Sequence, residues 1–416
     1  MNRDDALARD AQDPLAALRD QVVRHDPDLI YLDGNSLGML PVATRDRLAH
    51  AIDQEWGGEL IRGWQHWFDL PIGVGDRLGS SLLGAAEGQV VVCDTITVNL
   101  FKLAWAAMAA RPGRSVIVTD ARNFPTDRYV LEGVADHRGG SVRFVDTDPV
   151  HGVDAAALAA VLDDDVALVE LSHVDYRSGA LADLAALTKQ VHDGGALVLW
   201  DLAHSAGAVA VDLDANDVDL AVGCTYKYLN AGPGAPGFLY VSRRLVDGLE
   251  SPIRGWWGQQ DPFDMDQPYR PARGVARFLS GSQSVPGMYA VDSGVDLLGR
   301  AGLPALRAKS LALTTYLVDL ADEWLSPLGF ELRSPRDPAR RGGHVVLGHP
   351  DAYRIGAAAV REALVVPDVR PPDLIRLAPV ALTTSFTDVH DGVARLRDLV
   401  AGGSHETIDV SSRRVT

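Results

Sequence analysis

An aspartate and a lysine stand at the ends of two apolar runs in the middle of the chain. The stretch Ala196 to Tyr240 reads ALVLWDLAHSAGAVAVDLDANDVDLAVGCTYKYLNAGPGAPGFLY. The run Ala196 to Trp200 has the composition of a buried strand and stops at Asp201. A second run, Val218 to Val222, is followed by Tyr226 and Lys227, then by a loop with Gly232, Pro233, Gly234, Pro236 and Gly237. A buried carboxylate or amine is costly unless it is paired or put to use. Taken alone, an Asp at a strand end is usually a cap or turn residue, and a Lys in a loop is usually solvated. Taken together, in this order, they suit pyridoxal phosphate. Its aldehyde condenses with a lysine amine, and its pyridine nitrogen needs an acidic partner to stay protonated.

The surrounding pattern says what must position these two residues. Strand candidates at Val90–Val92, Val116–Val118, Val142–Val145 and Val166–Leu171 alternate with helix candidates at Thr97–Ala110, Asp127–Val134, Asp154–Leu162 and Leu181–His192. The two runs above and Phe238–Val241 bring the strands to seven. Such alternation predicts an α/β fold with a mainly parallel sheet flanked by helices. Ligands of such sheets collect beyond the carboxyl ends of the strands. That rule selects Thr95, Ile96 and Thr97, where a helix N-terminus either is simply capped or cradles a phosphate. It also selects Asn123, Phe124, Pro125, Thr126 and Asp127, with Phe124 able to stack on a planar ring, and then Ser172, His173 and His204.

Outside the sheet, residues 1–26 read as a helix and residues 42–55 as another. Between them, Ile30 to Pro41 (IYLDGNSLGMLP) carries turn signals and the polar Asn35 and Ser36. Gly57 to Pro71 holds Arg62, Trp64, His66, Trp67 and Phe68; this is either core or one wall of a pocket for a flat substrate. After Gly302 the pattern changes to a smaller α+β unit. It has Leu313, Leu317, Leu320 and Trp324 at helical spacing, strands at Gly329–Arg333, His344–Leu347 and Leu374–Leu377, and helices at Tyr353–Leu364 and Thr387–Val400. The basic run Arg336 to Arg341 reads as a solvated loop, and the polar tail after Gly402 as disordered. The division is residues 1–55 packing with the small domain, 56–300 as the large domain, 301–402 as the small domain and 403–416 as tail.

Composition bounds the partners. The 416 residues carry a formal net charge of -17, with a pI of about 5.0, which argues against nucleic acid or an anionic membrane surface. Hydrophobic residues make up 47%, enough for a sizeable core, and no apolar run is long enough to span a bilayer. The first twenty residues are charged throughout and lack a signal-peptide core. Cys93 and Cys224 fall in apolar contexts and read as inert thiols of a reducing cytoplasm. No metal is expected.

Several segments resemble one family. They are LDGNSLG (Leu32 to Gly38), TVNLFK (Thr97 to Lys102), NFPTDRY (Asn123 to Tyr129), DLAHSAGA (Asp201 to Ala208), TYKYLNAGPG (Thr225 to Gly234), GWWG (Gly255 to Gly258) and IRLAP (Ile375 to Pro379). Over about residues 13 to 400 the chain resembles the kynureninases, fold type I pyridoxal-phosphate enzymes close to the class V aminotransferases. The resemblance implies hydrolysis of the Cβ–Cγ bond of L-kynurenine to anthranilate and L-alanine, in a cytoplasmic homodimer with active sites at its interface. It makes Lys227 the cofactor lysine, Asp201 the partner of the pyridine nitrogen, and Tyr226 a phosphate contact and proton relay. Phe124 stacks on the ring, with Pro125 and Thr126 beside it. Ile96 and Thr97 hold the phosphate, and Asp127, Ser172 and His204 line the cofactor. Trp256 and Ser282 approach the phosphate region across the dimer interface. Arg376 binds the substrate α-carboxylate, with Asn35, Ser36, Trp64 and Gly281 as further substrate contacts. Where animal members carry a Ser-Asn pair and a His, this chain has Gly281, Ser282 and Gly58, as the bacterial branch does. That implies a preference for kynurenine over 3-hydroxykynurenine. An aminotransferase or cysteine desulfurase of the same fold, and a non-catalytic cofactor carrier, are the competing expectations; a desulfurase needs a nucleophilic Cys on a mobile loop.

Overall fold

A computed structural model describes residues 1–265 and 268–409. The strand runs β1 (Ile30–Tyr31), β2 (Val90–Val92), β3 (Val116–Asp120), β4 (Ser141–Val145), β5 (Val166–Ser172), β6 (Leu197–Asp201), β7 (Leu220–Gly223) and β8 (Phe238–Val241). The C-terminal part adds β9 (Glu331–Leu332), β10 (Val345–Gly348), β11 (Val365–Val366), β12 (Asp368–Arg370) and β13 (Leu374–Leu377). Seven strands form the large sheet in the order β2-β8-β7-β6-β5-β3-β4. Neighbours are parallel except β8, which runs antiparallel to both β2 and β7. Every residue of β2, β3, β6, β7 and β8 is buried, as expected of strands covered by helices on both faces.

This order carries the site. The carboxyl ends of β2, β3, β5, β6 and β7 lie on one edge, and the antiparallel β8 begins there. The helix Ile96–Ala109 starts at that edge, capped by the Thr95 hydroxyl, which accepts the Val98 N–H at 3.3 Å. The helix Pro125–Arg138 starts there too, with Pro125 at its first position, where a missing N–H costs nothing.

The C-terminal sheet runs β12-β13-β10-β9, all antiparallel. Its core takes in residues from the other end of the chain: Ala6, Ile30 and Leu32 are buried with Leu313, Leu317, Val345, Ile375, Val389 and Leu396. Strand β1 pairs in parallel with β11, and the helix Arg3–Asp10 packs on the helix Phe386–Ala401. The Asp10 carboxylate accepts the Phe386 N–H at 2.7 Å and the Thr387 N–H at 3.0 Å, capping that last helix.

Four local expectations differ from the structure. The first helix stops at Asp10, and Ala16–Gln21 is a separate 3-10 turn, because Asp13 and Pro14 break it. Asp13 instead accepts the Leu15 N–H at 2.9 Å and pairs with buried Lys309 at 2.6 Å. The helix Val42–His50 continues as a wide π turn over Ala51–Glu59. That wide turn aims Glu55 inward, where Arg47, Trp67 Nε1 (2.9 Å) and Tyr289 OH (2.6 Å) hold it. The basic run is not all solvated: Arg341 is 1% exposed, its Nη1 donating to Pro335 O at 2.7 Å. Nor is the start of the tail disordered. Ser404–Thr407 forms a 3-10 turn that buries Ile408, while residues 410–416 lie outside the described residues.

Candidate active site

Three buried carboxyls meet at the carboxyl edge of the large sheet. Asp201 ends β6, Glu170 lies within β5, and Asp127 sits in the first turn of the helix Pro125–Arg138. Asp201 Oδ1 accepts the Ala203 N–H at 2.7 Å, and Ser172 Oγ lies 3.5 Å from Asp201 Oδ2. Burial pushes the Asp201 carboxyl above the usual carboxylate range, and Lys227 opposes the shift. Burial first, then Asp201 and Glu170, push Asp127 well up. Glu170 is pushed up to about 8, by burial against the hydrogen bonds of Thr119 and Asn123. Those donors sit 2.7 and 2.8 Å from Glu170 Oε2. A cluster of this kind has too much acid for its own ionisation and calls for a cation or proton at its mouth.

Lys227 supplies the amine. It follows β7, and its Nζ lies 3.4 Å from His204 Nε2. His204 is held neutral, pushed well down by burial first, then by Lys227 and by His344, whose ring is 5.5 Å away. The Lys227 loop is fixed from behind. Gly38 N–H donates to Tyr226 O at 2.8 Å, and a Cβ on Gly38 would stand 2.3 Å from Lys227 O. That close approach is why the LDGNSLG segment ends in glycine.

The same segment reaches Arg376 on β13. Arg376 Nη2 lies 3.2 Å from Ser36 Oγ, and Nη1 donates to Tyr176 O at 2.6 Å. Nε pairs with Asp368. Asn35 is wholly buried, and among the described residues neither of its side-chain polar atoms has a hydrogen-bond partner. The Tyr176 ring meets the Phe124 ring edge-on at 5.2 Å, and Phe124 is 41% exposed. The N–H groups of Ile96 and Thr97, in the first turn of their helix, have no acceptor within it. Gly237 crowds them: a Cβ there would stand 2.9 Å from Ile96 N.

The structure therefore brings Ile96, Thr97, Phe124, Pro125, Thr126, Asp127, Ser172, Asp201, His204, Tyr226 and Lys227 to one edge, with Asn35, Ser36 and Arg376 behind the lysine loop. It places Trp64 and Trp256 in a separate aromatic cluster, and Gly281 and Ser282 on a loop whose flanking residues Ser280 and Gln283 contact Asp94, next to the Thr95–Thr97 turn. Trp64 packs on Trp256 (5.6 Å) and Trp257 (5.3 Å), with Phe68 stacked on Trp257 at 5.6 Å. Gly281 and Ser282 lie on an exposed loop beside this cluster. Glu170, Tyr176, Asp368 and His344 were not singled out from sequence. Only Glu170 left a signal, as the one charge inside the apolar run VALVELS. Cys93 and Cys224 are free and buried, burial pushing the Cys93 thiol up to about 12. No nucleophilic thiol of the desulfurase kind is presented.

Comparison with known proteins agrees with this geometry. The Aminotransferase class-V family matches residues 80–333, and the Kynureninase C-terminal domain matches residues 306–396. Among solved structures, a cysteine desulfurase from Thermococcus onnurineus NA1 superposes with a TM-score of 0.80 at 19% identity, covering 93% of this chain and 98% of that one. A cystine C-S lyase gives 0.79 at 21%, covering 89% and 98%. At such identities these two share the fold alone. The kynureninase of Pseudomonas fluorescens is 43% identical over 406 residues, 96% of this chain and 95% of its own. That of Burkholderia pseudomallei (strain 1106a) has the same identity and coverage. With nearly the whole chain matched at that identity, the chain belongs to the kynureninase family.

Proposed function

We propose that this protein hydrolyses the Cβ–Cγ bond of L-kynurenine, yielding anthranilate and L-alanine. The observation that carries the reading is the Lys227 amine set beside neutral His204 and the Asp201–Asp127–Glu170 acid cluster, in a chain of this family. The family's cofactor is pyridoxal 5'-phosphate, and the residues fit it. A buried acid awaits a cationic ring nitrogen at Asp201, an exposed aromatic face waits at Phe124, and free N–H groups at Ile96 and Thr97 await a phosphate. Bound there, the cofactor supplies an aldehyde for the substrate amine and an electron-withdrawing ring for the carbanion at Cα.

The remaining roles fall to the protein's own side chains. Asp201 keeps the proton on the ring nitrogen, with Ser172 fixing its carboxylate and Asp127 behind it. Arg376, whose planar guanidinium suits a carboxylate, seats the substrate α-carboxylate beside Ser36 and Asn35. Lys227 Nζ takes the proton that leaves Cα, having no other duty once the substrate amine has replaced it. Tyr226 relays protons beside the phosphate. A water adds to the γ-carbonyl carbon, and the Cβ–Cγ bond breaks with a proton delivered to the alanyl fragment.

The functional unit in this reading is a cytoplasmic homodimer. What supports a second copy is an exposed apolar strip, Ile52, Trp56, Leu60 and Ile61, beside the Trp64–Trp256 cluster, with Phe263 71% exposed on it. Trp256, Ser282, Trp64 and Gly281 then serve the neighbour's site. The two free cysteines suit a reducing compartment. The two hydrophobic cores support a large and a small unit, with Leu15 and Val380 to Leu382 in the core of the large one and Ile408 in that of the small one. The test is direct: purified protein with cofactor and L-kynurenine should release anthranilate, read by its fluorescence, and Lys227→Ala should abolish the release. No anthranilate from the wild-type protein overturns the reading. Borohydride reduction that labels a lysine other than Lys227 overturns the site.

A further inference from the structure

The residue before the phosphate-binding turn is tied to more of the fold than a turn residue needs. Asp94 follows β2 with φ 46°, a left-handed conformation that Gly, Asn and Asp adopt more readily than other residues. Its N–H donates to Gln283 Oε1 at 2.7 Å, and its carbonyl accepts the Gly237 N–H at 2.9 Å. Its carboxylate pairs with Lys102 and accepts from Ser280 Oγ at 3.1 Å. Lys102 is wholly buried and gives its other bond to Phe278 O at 2.6 Å. Ser280 in turn abuts GWWG: its carbonyl accepts the Trp257 N–H at 3.2 Å, and a Cβ on Gly255 would stand 2.1 Å from it.

Asp94 thus joins three segments: the turn Thr95–Thr97, the loop 278–283 with GWWG behind it, and Gly237 at the start of β8. Gly237 is the residue that crowds Ile96 N. A buried ion pair is a poor way to gain stability, since well-packed apolar residues do as well. What it fixes here is geometry, and the geometry nearest to it is that of the Ile96 and Thr97 N–H groups. We propose that Asp94, held by Lys102, Ser280 and Gln283, is a positioning residue that sets those N–H groups for the cofactor phosphate. The inference rests on reading Thr95–Thr97 as the phosphate cradle.

The test compares binding of pyridoxal 5'-phosphate and of unphosphorylated pyridoxal to apoprotein, by absorbance titration, alongside thermal unfolding of the apoprotein. Wild type should bind the phosphorylated form far more tightly; equal affinities would refute the cradle itself. Ser280→Ala and Gln283→Ala each remove one contact to Asp94 and should weaken binding of the phosphorylated form several-fold. Lys102→Met leaves Asp94 without its cation and should lower the unfolding temperature. The double variant Asp94→Asn with Lys102→Met removes both charges and should recover that temperature, yet bind the phosphorylated form about tenfold more weakly than wild type. Pyridoxal affinity should not move in any of them. Recovery of both temperature and affinity in the double variant, or equal losses for the two ligands, overturns the proposal.

Discussion

At the scale of single residues, the acid cluster makes two predictions. An amide at position 201 cannot hold a proton on the ring nitrogen. Asp201→Asn should therefore keep the fold and lose on the order of 100-fold or more in kcat, about 3 kcal/mol of transition-state energy. Near wild-type turnover would remove Asp201 from that role. Glu170 carries the second. Its carboxyl is raised from 4.5 to about 8 in the fold, so the folded state binds its proton more tightly than the unfolded chain does. This contribution is fully present below about pH 4.5 and is lost as pH rises through about 8. Glu170→Gln keeps an acceptor for Thr119 and Asn123 and cannot ionise. Apoprotein melts from pH 5 to 9 should show the wild type losing several degrees relative to Glu170→Gln; parallel curves would show that Glu170 ionises normally.

At the scale of elements, Gly38 couples the N-terminal segment to the lysine loop. A Cβ there would stand 2.3 Å from the Lys227 carbonyl and 2.8 Å from Asn230 Cα, both backbone atoms that no rotamer change can move away. Gly38→Ala should lower kcat/KM at least about tenfold through displacement of Lys227, with a stability loss of roughly 1–3 kcal/mol. Wild-type kinetics would mean that the loop yields freely. The central strands could be read from sequence because they are short, apolar and closed by turn residues; β2, β8 and β13 have the expected bounds. The breaks at Asp13 and after His50 differ in this respect. The first is marked locally by Pro14, which a reading of residues 1–26 as one helix passes over; the second depends on Tyr289 and Trp67, partners distant in sequence that propensity does not see. The site divides likewise. Asp201, Lys227 and Phe124 followed from the strand-end rule and Arg376 from the family motif, whereas His344 and Tyr176 act by tertiary packing and leave no local mark.

At the scale of the molecule, the exposed strip beside the tryptophan cluster predicts a dimer. Light scattering should give twice the chain mass, and Ile61→Glu should shift it toward monomer with loss of turnover; an active monomer would refute the assembly. In such a dimer the neighbour's aromatic cluster would face the substrate's ring. The positions where animal members of the family carry a His and an Asn are Gly58 and Ser282 here, and a buried hydroxyl without a partner costs roughly 1–3 kcal/mol. Kynurenine should exceed 3-hydroxykynurenine in kcat/KM by about tenfold or more. Equal values would mean that Ser282 or His66 accepts the hydroxyl.

The parallel pairing of Ile30 with Val365, and the contact of the Arg3–Asp10 helix with the Phe386–Ala401 helix, bear on how the chain is born. A ribosome adding roughly 5–20 residues per second takes tens of seconds to pass from one partner to the other. During that interval β2 to β8 have all been made, so the edge bearing Asp201 and Lys227 can assemble while Ala6, Ile30 and Leu32 still lack their core. Arg376 is synthesised last of the site residues. The nascent chain therefore completes the sheet edge bearing Asp201 and Lys227 before it contains Arg376, and Ile30 and Leu32 wait for a core that is made last.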